Sequence, residues 1–284
     1  MTSRRTQRAL GAVTAVALVL AVAVGGVVLL LRSLDVELPF VAQCTASDGE
    51  SSASLEPDQT ANAALIAAIA LERGLPARAV TIAIATAMQE SKLRNIDYGD
   101  RDSVGLFQQR PSQGWGTVEQ IMDPVYATNR FYDALVSVDG YEDMEITEAA
   151  QAVQRSGYPE AYAQHEPTAR LFASALTGWS PGALGCRLAT PTDADDGALA
   201  DMLARDLPSA SIATDDSDAV VLSLDVGDGD RSAWVLAHWA VATAAVTGVQ
   251  QVVVGDLEWT RGEDAVTGWN PAPDPGPAGV VSVS

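Results

Sequence analysis

Residues 77–88 read Ala-Arg-Ala-Val-Thr-Ile-Ala-Ile-Ala-Thr-Ala-Met, with Arg78, Thr81 and Thr86 the only polar side chains. A helix that is apolar on nearly every side has no face to offer water, so it must sit at the centre of a domain with other elements around it. Pro76 precedes it, where a missing N–H costs nothing. The preceding stretch, residues 58–73, presents an apolar face of Ala64, Leu65, Ala68, Ile69 and Leu71, with Asp58 placed to cap it and Gly74 to stop it. The central helix then runs into Gln89, Glu90 and Ser91. Glu90 therefore leaves the most buried element at its carboxyl end, where the helix dipole is negative. Apolar surroundings and dipole both disfavour an ionised carboxyl, so the placement predicts a raised pKa. A carboxylic acid that keeps its proton near neutral pH is equipped to protonate a leaving oxygen. The competing reading is an ordinary glutamate fraying into solvent from a helix end.

Beyond Glu90, residues 93–109 predict a short β-hairpin with Tyr98-Gly99-Asp100 at its turn. Its acids Asp97, Asp100 and Asp102 read either as a second catalytic carboxylate or as turn formers. They do not form a calcium loop, because Gly99 occupies the second ligand position. Gln108 and Gln109 carry amides suited to sugar hydroxyls and acetamides. Trp115, between Gly114 and Gly116, is suited to stack on a pyranose face or to pack in the core. Further helices are expected from Asp123-Pro124 to Leu135, over 147–154, and from Tyr158 and Tyr162 onward to about Thr177.

Residues 9–31 are almost continuously apolar, long enough at about 1.5 Å per residue to cross a hydrocarbon core of roughly 30 Å. Arginines Arg4, Arg5 and Arg8 precede the run while Asp35 and Glu37 follow it. The positive-inside rule then gives a cytoplasmic basic tail (1–8), a single transmembrane helix (9–31) in the cell membrane, and extracytoplasmic domains beyond. Residues 32–56, rich in Ser, Asp, Glu and Ala near their end, read as a linker. The chain carries a net charge of −20, and setting aside Arg4, Arg5, Arg8 and Arg32 takes the remainder from −20 to −24. Such a surface excludes nucleic acid as a partner. Two histidines, His165 and His238, far apart and without paired cysteines, give no metal site, and nothing calls for a cofactor. Cys44 and Cys186 are the only cysteines. Both fall beyond the expected anchor, where a disulfide closing about 140 residues would contribute at most about 5 kcal/mol; two free buried thiols are the alternative.

After an acidic hinge over 188–196, residues 197–284 predict a helix near 198–206, a strand near 219–226, a helix over 231–247 with Trp234 and Trp239, and strands near 249–254 and 279–283. This reads as a small α/β domain without an assignable role.

The order Glu90-Ser91, a short β-region, then Gly105-Leu106-Phe107-Gln108 resembles the lysozyme-like superfamily, in particular goose-type lysozymes and soluble lytic transglycosylases, with Phe107 in place of the usual Met. Residues 89–95 and 105–116 look closer still to actinobacterial membrane-anchored lysozyme-like proteins. The resemblance implies a mainly α lysozyme-like domain over 57–187 with a small β-hairpin, beside the α/β carboxyl-terminal domain and the transmembrane helix. It implies peptidoglycan glycan strands as substrate, cleaved at the MurNAc-β-1,4-GlcNAc bond with Glu90 as acid and then base. Ser91, Tyr98, Asp102, Ser103, Gln108, Gln109, Trp115, Tyr158 and Tyr162 are the candidate substrate-binding residues. The family's Ala-Tyr-Asn signature is replaced by Ala152-Val153-Gln154, leaving Tyr158 and Tyr162 as candidate stand-ins for the tyrosine that positions the acid. The alternative function is a catalytically inactive wall-binding or scaffold protein.

Overall fold

The computed structural model describes residues 17–27, 40–191, 197–214, 220–225, 227, 229–263, 268–277 and 279–284. Met1–Val41 and Ala42–Ser284 form separate units. In the first, residues 17–27 are helical (α1) with Leu18, Val22 and Val24 exposed. Among the described residues no helix is long and apolar enough to cross a membrane. The transmembrane helix expected over 9–31 is thus not found among the described residues, which include only 17–27 of it; 9–16 and 28–31 lie outside them.

The second unit overturns the expected fold class as well. About half of the described residues are helical, and they carry two antiparallel sheets of three and six strands, not one small hairpin beside an α/β domain. The end of the expected linker is β-structure. β1 (Gln43–Ser47) and β2 (Ser52–Leu55) form a hairpin, closed on the far side of β1 by β3 (Leu184–Arg187). Asp48 Oδ1 accepts the N–H groups of Glu50 (3.0 Å) and Ser51 (2.7 Å), and Gly49 supplies the positive φ of +89° that the turn needs. Cys44 lies directly opposite Cys186 in the β1–β3 register, and the two form a disulfide.

Helix α2 (Pro57–Glu72) is capped two residues before Asp58, the expected cap. Glu56 is its N-cap in a capping box with Gln59, while Asp58 pairs with Arg94 at 2.9 Å. Helix α3 (Ala77–Ser91) is buried from Ala79 through Ala87, as its composition requires. The expected hairpin over 93–109 is reduced to a single bridge, Val104 to Gln109. The cause is local: Lys92, Leu93, Arg101 and Gln108 all adopt positive φ, so the chain turns too often to hold a ladder. Helices α5 (Pro124–Val136, capped by Asp123), α6 (Ile146–Gln154) and α7 (Glu166–Leu176) complete the shell around α3, with α4 (Val118–Met122) packed on α5 and a 3-10 helix over Pro159–His165 joining α6 to α7.

Helix α8 (Ala198–Asp206) leads into the larger sheet, made of β4 (Ser211–Thr214), β5 (Val220–Ser223), β6 (Gln251–Val254), β7 (Leu257–Thr260), β8 (Asn270–Pro271) and β9 (Val281–Val283). Its order is β4-β5-β9-β6-β7-β8, with β9 inserted between strands separated by helix α9 (Gly229–Thr247). Ala42–Ser284 is one unit, and α9 packs against α2, α7 and β3 as well as its own sheet. Of the expected hinge, 192–196 lie outside the described residues.

His238, fully buried on α9, fixes that packing. The neutral ring donates Nδ1–H to Ala175 O of α7 (2.7 Å) and accepts at Nε2 from Leu184 N of β3 (3.5 Å). Burial pushes its pKa down to about 4, only partly offset by the bond to Ala175. Arg261 acts similarly at the end of α9, donating to the carbonyls of Ala244 (3.1 Å) and Val249 (3.0 Å).

Two outcomes follow for stability. Because the unfolded imidazole titrates near 6.5 and the folded one near 4, the unfolded state binds the extra proton in between. The contribution is complete above pH 6.5 and falls by about 1.4 kcal/mol per unit as pH drops toward 4. Urea denaturation at stepped pH values should show this slope diminish by about one proton in His238→Leu. Replacing both Cys44 and Cys186 by Ala should cost about 2–5 kcal/mol in the same assay.

Candidate active site

Helix α3 ends in a left-handed cap at Lys92 (φ +55°), whose N–H bonds to Met88 O while Leu93 N reaches Ala87 O. This stop leaves Glu90 in the last turn, half-buried. Tyr162, fully buried on the Pro159–His165 3-10 helix, donates its phenol O–H to Glu90 Oε1 at 2.8 Å. The Gln154 amide, at the end of α6, lies close enough to favour the ionised carboxyl, while its Nε2 donates to Phe107 O at 2.8 Å. Burial raises the Glu90 pKa above its ordinary value, and the bond from Tyr162 and the nearby Gln154 amide pull it part of the way back. The Tyr162 phenol is itself pushed up, by burial first and by the neighbouring Glu90, so it remains a donor. Among the described residues Glu90 takes part in no ion pair.

The surrounding bonds hold this pair in place. Gln89 Oε1 lies 3.0 Å from His165 Nε2 and accepts from Gln164 Nε2 at 3.2 Å, tying the last turn of α3 to the segment that carries Tyr162. Ser91 Oγ donates to Leu106 O (2.6 Å) and Gln154 Nε2 to Phe107 O (2.8 Å), so the Gly105–Phe107 turn is bolted to both helices. Phe107 stacks on Phe131 with centroids 4.5 Å apart. Gly105 has φ +81°, and a Cβ there would fall 2.7 Å from Ile121 O, so only glycine fits.

Of the sequence-predicted binding residues, the structure brings Tyr162 onto the acid and gives most of the others different work. Ser91, Ser103 and Gln109 are buried. Gln109 donates to Ala127 O (3.0 Å) and Ser103 N to Asp100 O (3.1 Å), so these are scaffold contacts, out of a substrate's reach. The Gln108 amide is occupied by Tyr98 O (3.2 Å) and Gly105 O (3.3 Å). Tyr98 and Tyr158 are exposed, at 70% and 80%, and Tyr158 walls a shallow hollow with Glu160 and Gln164 on the outer side of the Tyr162 segment. Asp102 accepts from Ser112 N (2.8 Å), Arg110 Nε (2.8 Å) and Ser112 Oγ (3.0 Å). Those bonds, the Ser112 backbone foremost, hold its carboxyl well below the usual range, so Asp102 staples its loop. Trp115 is half-buried and walls an open cleft of about 740 Å³ together with Arg130, Val138, Ala152 and Gln154. Glu90 is not itself a wall of that cleft; Gln154 is the side chain common to both.

Gln154 and the Gln89–His165 contact were not singled out as site residues from sequence. The available signal for Gln154 was its place at the end of Ala152-Val153-Gln154, where the helix is stopped by left-handed Arg155 (φ +52°). Chemically the arrangement is one carboxyl able to hold and release a proton, backed by the neutral Tyr162 donor with the Gln154 amide beside it. Comparison with known proteins finds no family model that matches this chain and no match among curated proteins.

Removing the Tyr162 donor in Tyr162→Phe should raise the Glu90 pKa further, because a bond that favours the ionised form is lost. Side-chain carboxyl NMR titration of both proteins measures it.

Proposed function

We propose that this chain is a peptidoglycan glycosidase that cleaves the MurNAc-β-1,4-GlcNAc bond with Glu90 as its single acid–base group. The observation that carries the reading is the half-buried Glu90 carboxyl, raised in pKa and hydrogen-bonded by Tyr162 at 2.8 Å. In the first step the Glu90 carboxyl gives its proton to the glycosidic oxygen as the bond to the muramyl C1 breaks. The carboxylate then takes a proton from the muramyl 6-hydroxyl, whose oxygen bonds to C1, and Glu90 ends as it began. The 1,6-anhydro product forms where no second carboxylate orients a water; of the two candidates, Asp97 and Asp102, the latter is consumed by Arg110 and Ser112. The resemblance of Glu90-Ser91 and Gly105-Leu106-Phe107-Gln108 to lytic transglycosylases supports the same substrate. The Cys44–Cys186 disulfide supports action outside the cytoplasm, where such bonds persist.

The net charge of −20 favours one other reading, a wall-associated scaffold without turnover, since an anionic wall repels an acidic enzyme. The chain should release muropeptides with anhydro ends from purified sacculi, detected by mass spectrometry, and Glu90→Gln should lower the rate about 10²–10⁴-fold. No release by either protein across salt and pH selects the scaffold, and equal release by both removes Glu90 as the acid.

A further inference from the structure

Trp179 follows α7 directly, with 61% of its surface exposed. It lies beside the first turn of α3, sharing cavity walls with Ala77 and Arg78. Twelve residues of helix separate Arg78 from Glu90, about 18 Å of rise, so this is the opposite end of the central helix from the acid.

The indole is held rigidly. The Arg231 guanidinium sits 4.4 Å from the ring centroid and is itself fixed by a bond from Nε to Thr177 O (2.9 Å). Trp179 N donates to Ser174 O at 2.9 Å. Gly178, at φ +77°, lets α9 come this close, since a Cβ there would meet Arg231 O at 2.5 Å. The rest of the indole is a wall common to two open cavities, of about 710 and 850 Å³. The first mixes hydroxyls, among them Ser52 and Thr168, with apolar Pro167 and Leu171 and with charged Asp48 and Arg170.

We propose that the Trp179 groove is a second glycan site, which holds a pyranose ring of the same polymer remote from the Glu90 centre. An indole braced by its neighbours presents an apolar surface matched to the C–H face of a sugar. The serines and threonines beside the tryptophan can exchange hydrogen bonds with sugar hydroxyls, while Ala53, Pro167 and Leu171 extend the apolar surface of the indole. The inference rests on the peptidoglycan reading for the identity of the polymer. A strand spanning both places would be kept on the enzyme between cuts.

The test separates holding from cutting. In the Glu90→Gln background, co-sedimentation with purified sacculi should weaken about tenfold on adding Trp179→Ala and less than about threefold on adding Trp179→Phe. With Glu90 intact, Trp179→Ala should leave turnover of a short soluble glycan oligomer unchanged. Equal sedimentation of all three proteins overturns the proposal, as does an equal loss in the Phe and Ala variants accompanied by a lower melting temperature in both. Turnover that survives Glu90→Gln would remove Glu90 as the acid while leaving the sedimentation result to stand on its own.

Discussion

The Tyr162 phenol and the Glu90 carboxyl meet 2.8 Å apart where the end of α3, the end of α6 and the 3-10 helix before α7 converge. Two opposing forces act on that carboxyl. Burial alone would lock the proton on, and hydrogen-bond donors alone would drive it off. Glu90 experiences both, with burial the larger. A group poised this way can give up a proton and recover it in one cycle, which is what a lone acid–base residue must do.

That poise needs a frame that does not yield. Helix α3 supplies it by having no solvent-facing side from Ala79 to Ala87, so neighbours press on it all round. The Cys44–Cys186 bond closes the three-stranded sheet across chain ends 142 residues apart, and α9 adds its weight through His238, which touches α7 and β3 at once. The remote β-rich segment is thus part of the support of the site. It also creates the ledge on which Arg231 braces Trp179.

What was legible in the sequence is what depends on local pattern. The apolar run of 77–88 announces a central helix and places Glu90 at its end; the cap residues Asp123 and Pro124 start α5 where expected. What was not legible depends on distant partners. Residues 32–56 read as a linker because Ser, Asp, Glu and Ala crowd their end, yet β1 and β2 form there, paired with each other and with β3, whose Cys186 is 142 residues beyond Cys44. The hairpin expected over 93–109 is undone by non-glycine residues held at positive φ, a choice imposed by burial of Leu93 and Phe107 and not visible in composition. Tyr162 is 72 residues from Glu90, and among nearby tyrosines only tertiary structure selects it over Tyr158. The six-stranded order, with β9 inserted between β5 and β6, is likewise a product of packing α9 into a shared core.

The central claim is that Glu90 carries its proton at pH values where an exposed glutamate has lost it. Infrared difference spectra of the wild-type protein against Glu90→Gln, taken at steps upward from the ordinary glutamate value of 4.5, report that proton through the carbonyl stretch of a neutral carboxyl. The account predicts a protonated-carboxyl band that persists above 4.5 and is absent from the variant. A Glu90 signal that is already carboxylate at 4.5 and below would contradict it.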